Sequence, residues 1–121
     1  MKLKKIDYNF SVCKVKDYST VDLKSEYCFI GKTDNEKSLV CLTENVPGNA
    51  TACDRDWYAF RIEGTLDFSL IGILAKISSW LAEKNIGIFA VSTYNTDYIF
   101  VKEKNFRKAL DVLADNGYEI I

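Results

Sequence analysis

Trp57-Tyr58-Ala59-Phe60-Arg61-Ile62-Glu63-Gly64, with the run Ser69 to Lys84 that follows, decides the fold. Tyr58, Phe60 and Ile62 alternate and share one face of a strand, which Gly64 breaks. From Ser69 to Lys84 the apolar residues Leu70, Leu74, Ile77 and Leu81 recur at helical spacing and form one stripe, widened by Ile73 and Trp80. Asn85 and Gly87 both tolerate a left-handed backbone and stop that helix. Ile88 to Thr93 reads as a strand, Tyr94-Asn95-Thr96 as a turn, and Asp97 to Lys102 as the returning arm of a hairpin. Glu103 to Asn116 is a second amphipathic helix with Phe106, Ala109, Leu110 and Leu113 on one face. Gly117 ends it, and Tyr118 to Ile121 is a last short strand. The order β-α-β-β-α-β specifies an α+β, ferredoxin-like sandwich in which two helices cover one face of a sheet.

Upstream, the same grammar returns in reduced form. Phe10 to Val15 alternates as a strand, while residues 20–25 hold at most a short helical turn. Tyr27 to Lys32 and Ser38 to Thr43 form a hairpin across Thr33-Asp34-Asn35-Glu36. Asn45 to Asp56, containing Pro47-Gly48-Asn49, reads as a connecting loop, so residues 1–54 are expected to form a degenerate unit and residues 55–121 a complete one. Cys28 to Thr33 can be laid on Ile88 to Thr93, with Phe29/Phe89, Thr33/Thr93 and Asn45/Asn105 as identities. A sheet that small is marginal alone, and its strands are expected to pack with the second unit.

Composition narrows the chemistry. The chain has 121 residues, 16 basic and 17 acidic, with 48% apolar content and no His. Without His there is no Ser-His-Asp triad, no Cys-His dyad and no His-ligated metal, which favours a binding module over an enzyme. Near-neutral charge argues against nucleic acid. The longest mostly apolar stretch, Phe68 to Ala75, is too short to span a bilayer. Lys2, Lys4 and Lys5 read as a solvated tail, and no apolar run of signal-peptide length follows them. Cys13, Cys28, Cys41 and Cys53 contain no C-x-x-C pair and read as free, buried thiols of a cytoplasmic protein, with neither metal nor cofactor expected.

The strand-to-helix junction is where a ligand would sit. A helix start offers unsatisfied backbone N–H groups and the positive end of the dipole to a carboxylate. Gly64 permits close approach to the backbone, and Asp67 can receive an ammonium. The same residues also fit a plain turn at Gly64 and a plain N-cap at Asp67 or Ser69. Ser92, Thr93 and Asp97 flank the hairpin tip and can add polar contacts, whereas Tyr94 and Tyr98 read as packing groups. Arg61 reads as a surface partner of a carboxylate.

Glu63 to Leu74 and Ile86 to Tyr98 together resemble ACT-domain proteins, above all the small bacterial proteins with tandem ACT units. These are related to the regulatory domain of aspartate kinase and to the arginine-sensing ACT proteins. The resemblance implies a non-catalytic regulatory module that binds a small molecule, usually an amino acid, between two paired ACT units, within the chain or across a homodimer. It implies ligand contacts from Gly64, Thr65, Leu66, Asp67 and Ser69 on one unit and from the strand and hairpin matching Val91, Ser92, Thr93 and Asp97 on the facing one. The loop Lys16 to Thr20 of the first unit lacks the matching Gly. An RNA-recognition module shares the βαββαβ order, but Asp97 to Lys102 lacks the basic residue and Gly that precede the aromatics in such proteins. A purely structural oligomerisation domain is the other alternative.

Overall fold

The computed structural model describes residues 1–63 and 72–121. Their elements are β1 (Lys2–Val15), β2 (Cys28–Lys32), β3 (Lys37–Leu42), β4 (Ala50–Ile62), α1 (Ile73–Glu83), β5 (Ile88–Ser92), β6 (Asp97–Lys102), α2 (Glu103–Asp115) and β7 (Glu119–Ile120). The chain divides into a larger unit, Met1–Asp7 with Tyr58–Ile121, and a smaller unit, Tyr8–Trp57.

The larger unit is the α+β, ferredoxin-like sandwich. Alternation puts Phe60 and Ile62 of β4 and Ile99 and Val101 of β6 on one face, where Ile77 and Leu81 of α1 and Leu113 of α2 bury them completely. Each such side chain removed from water contributes roughly 1.5–3 kcal/mol, so this face sets the helix positions. Both helices stop in the same way. Asn85 turns left-handed at φ 59°, and Ile86 N–H returns to the Leu81 carbonyl at 3.0 Å while Asn85 N–H reaches Ala82 at 2.9 Å. Gly117 (φ 95°) and Tyr118 repeat this on Ala114 and Leu113, both at 3.1 Å. These are Schellman ends, which satisfy carbonyls that would otherwise be orphaned.

Two expectations are corrected. Lys2, Lys4 and Lys5 are not a tail but the start of β1. Leu3 is fully buried in the helix-covered core, β7 pairs in parallel with Lys2 and Leu3, and Glu63 N–H bonds the Lys2 carbonyl at 2.9 Å. Residues 50–56 are not loop but the first half of β4. They are exposed or only half-buried, so no apolar alternation announced them.

In the smaller unit the strand order is β2-β3-β1-β4. Leu39 is wholly buried with Val15 and Cys41, and Tyr18 and Val21 pack against them from the segment where the larger unit has a helix. Tyr18 also donates its hydroxyl to the Ser38 carbonyl at 3.1 Å. The second helix is reduced to one 3-10 turn, Thr43–Asn45. The hairpin itself is retained. Cys28↔Cys41 and Lys32↔Lys37 in β2–β3 recur sixty positions later as Ile88↔Val101 and Ser92↔Asp97 in β5–β6.

Candidate functional site

The hairpin tip is built by threonines. Thr93 N–H bonds the Thr96 carbonyl at 2.8 Å, and Thr93 Oγ1 donates to the same carbonyl at 3.0 Å. Thr96 is 7% exposed and donates its hydroxyl to the Ile62 carbonyl at 2.7 Å, fastening the tip to the last residue of β4. Burial of that hydroxyl is tolerated because the bond replaces water. Beside the tip, Ser92 and Asp97 face each other across the ladder and Ser92 Oγ donates to Asp97 Oδ1 at 2.6 Å.

A cleft of about 330 Å³ opens here, lined by Arg61, Glu63, Thr93, Asn95, Thr96 and Tyr98 together with Ile62. Arg61 Nε donates to Glu63 Oε2 at 3.1 Å, and Arg61 Nη1 donates to the Tyr98 hydroxyl at 3.1 Å. The Tyr98 hydrogen bond and then Glu63 push the Arg61 guanidinium further up, so it stays charged. The two partners hold the fork in one orientation while a quarter of the side chain, 24%, remains open to solvent. The cleft therefore offers a fixed cation and a carboxylate side by side, ringed by hydroxyl and amide groups. That charge pattern matches an amino acid, whose ammonium and carboxylate share one carbon.

Of the residues expected at the site, Ser92, Thr93 and Asp97 are brought together at the tip, with Thr93 in the cleft wall. Val91 is half-buried in β5 opposite Tyr98. Gly64, Thr65, Leu66, Asp67 and Ser69 lie outside the described residues. The helix after them begins at Ile73, with Gly72 (φ 85°) as its N-cap and no side-chain cap bond. The sequence did not single out Asn95, and it read Arg61 and Tyr98 as surface and packing groups. Arg61 does pair with a carboxylate, as read, but on the cleft wall. An Arg two residues before the carboxylate Glu63 was the available signal. Tyr94, read as packing, is 89% exposed. Among the described residues no group of three or more His, Cys, Asp or Glu is placed to hold a metal ion, and no helix is long and apolar enough to cross a membrane.

An α+β sandwich with two helices over one sheet face and a charged cleft at the end of β4 is a module of ferredoxin-like architecture. A family model described as ACT domain matches residues 52–115. The chain belongs to the ACT-domain family. Among solved structures, a protein from Agobacterium tumefaciens shares the fold at TM-score 0.85 and 28% identity, over 99% of this chain and 91% of that one. A protein of unknown function from Vibrio cholerae aligns at TM-score 0.74 and 20% identity, over 94% of this chain and 88% of that one. A putative C-terminal regulatory domain of aspartate kinase from Porphyromonas gingivalis aligns at TM-score 0.55 and 17% identity, over 93% and 92% of the two chains. No curated protein matches the chain in sequence.

Proposed function

We propose that this protein is a non-catalytic, regulatory ACT module that binds an amino acid. The observation that carries the reading is the Arg61–Glu63 pair, 3.1 Å apart, on the wall of the cleft at the end of β4. ACT membership and the fold shared with a regulatory domain of aspartate kinase support it. The ligand carboxylate meets Arg61 and the backbone N–H groups of residues 64–69. Its ammonium meets Glu63 and Asp67. Thr93, Asn95 and the Ser92–Asp97 pair close the polar wall. In keeping with the family pattern, a second ACT unit, supplied by a homodimer partner, completes the enclosure. Binding then stabilises the paired state because the ligand touches both members, and a population shift of that kind is the means of regulation.

A thermal-shift panel of the common amino acids on the full chain tests this. A ligand present at about 100 times its Kd adds roughly 2.7 kcal/mol of stability, and one or a few chemically related amino acids should do so. A panel flat at millimolar concentration refutes amino-acid binding. If the chain is dimeric in such a flat panel, the purely structural oligomerisation role takes its place.

A further inference from the structure

We propose that Cys13 and Cys53 are a thiol modification site, a pair that a low-molecular-weight disulfide such as oxidised glutathione converts into an intramolecular disulfide. All four cysteines of the chain lie in the smaller unit. Only one pair among the described contacts joins a buried sulfur to an exposed one. The Cys13 thiol, 3% exposed on β1, donates to Cys53 Sγ on β4 at 3.4 Å, and Cys53 is exposed. A shift of roughly 1.4 Å brings sulfurs at that separation to bonding distance, which side-chain rotation supplies. Cys41 is as buried as Cys13, and Cys28 is half-buried opposite it on β2. Burial, before any other cause, pushes Cys13 up to about 12 and Cys41 up to about 11. Neither buried thiol starts an exchange with a solute. The exposed Cys53 does.

The chemistry balances in two steps. Cys53 loses its proton and its thiolate attacks one sulfur of the small disulfide, breaking that S–S bond. The first thiolate leaves and takes up a proton. Cys13, already against Cys53 Sγ, then gives up its proton and attacks that sulfur, forming the Cys13–Cys53 bond and expelling the second small thiolate, which is protonated in turn. The pair is oxidised by two electrons and the small disulfide is reduced to two thiols. The product ties β1 to β4 within the smaller unit and closes a long loop of chain.

The experiment treats the reduced full-length protein with oxidised glutathione, quenches with iodoacetamide and maps peptides after combined trypsin and Glu-C digestion. Glu44 separates the Cys41 and Cys53 peptides. The expected result is residues 6–14 linked to residues 45–55, with Cys28 and Cys41 still alkylated after unfolding. The link should vanish in Cys53→Ser, an exposed position that leaves the core intact, and persist in Cys28→Ser. The oxidised protein should also melt at a higher temperature than the reduced one. A stable glutathione adduct on Cys53 with Cys13 still alkylated, or a link from Cys13 to Cys41, overturns the proposal.

Discussion

Thr96→Val isolates the bond that fastens the hairpin tip to β4. Valine keeps the shape of threonine, so it opens no cavity, and the backbone bond from Thr93 N–H to the Thr96 carbonyl remains. What disappears is the 2.7 Å donation to the Ile62 carbonyl by a hydroxyl on a residue 7% exposed. Leaving a buried acceptor without its donor costs about 1–3 kcal/mol, and the middle of that range is about a 30-fold loss in the folded-to-unfolded ratio. With a urea m-value of about 1–3 kcal/mol/M for a small domain, a loss in the middle of that range should lower the unfolding midpoint by roughly 0.7–2 M. Urea titration followed by tryptophan fluorescence reads this directly, since Trp57 is in β4 and Trp80 in α1. Thr96→Ser is the control, because it keeps the donor and loses one methyl. Two results refute the reasoning: a Thr96→Val midpoint equal to that of the unmodified protein, or a Thr96→Ser protein as unstable as Thr96→Val.

Three further outcomes are expected. Arg61→Ala and Asp67→Ala should each weaken binding of the amino acid found in the panel, by about 10-fold or more where a charge-assisted bond of roughly 1.5–3 kcal/mol is lost, with circular dichroism unchanged; equal affinity in isothermal calorimetry removes that residue from the site. The same calorimetry should give one ligand per chain, and a stoichiometry of two contradicts the asymmetry argued below. Stability should fall as pH rises above about 9, because burial raises Cys13 to about 12 and Cys41 to about 11 while the unfolded thiols ionise first; above the unfolded value the native state binds more protons than the unfolded one, so the contribution is full below that value and lost through the native ones. Urea midpoints between pH 8 and 11 should therefore drop less in Cys41→Ala than in the unmodified protein, and parallel curves exclude the buried thiols as the cause.

Where the pattern was local, it was legible. Asp97–Lys102 and the start of α2 at Glu103 coincide with their sequence boundaries, because alternating Ile99 and Val101 pass directly into the helical spacing of Phe106, Ala109, Leu110 and Leu113. Asn85 was recognisable as a helix stop from its tolerance of positive φ. Strands held by pairing were not legible. Leu3 and Ile6 are buried three residues apart, which is no strand period, and the start of β1 is held by its pairing with β7 at Lys2 and Leu3. The cleft was half legible for the same reason. Ser92, Thr93 and Asp97 adjoin along the hairpin, but Arg61 reaches Tyr98 across a gap of 37 positions, a contact that only β4–β6 pairing creates.

The recurrence of one hairpin in both units separates what the proposed binding needs from what the hairpin itself needs. In each copy a threonine opens the turn and its N–H bonds the carbonyl three residues on, Thr33 to Glu36 at 3.0 Å and Thr93 to Thr96 at 2.8 Å. The residue closing the turn differs. Thr96 is buried and tethered to β4, whereas Glu36 is exposed. The cross-strand pair at the base differs too, with Lys32 opposite Lys37 where Ser92 bonds Asp97. Two lysines repel an ammonium that a serine-buttressed aspartate attracts. The smaller unit also fills its first helix position with Tyr18 and Val21, so it has no helix start there to receive a carboxylate. Lacking a matching partner for either end of a zwitterion, that copy keeps the turn as structure, and the proposed recognition therefore falls to Arg61, Glu63 and the Thr93–Thr96 tip of the larger unit.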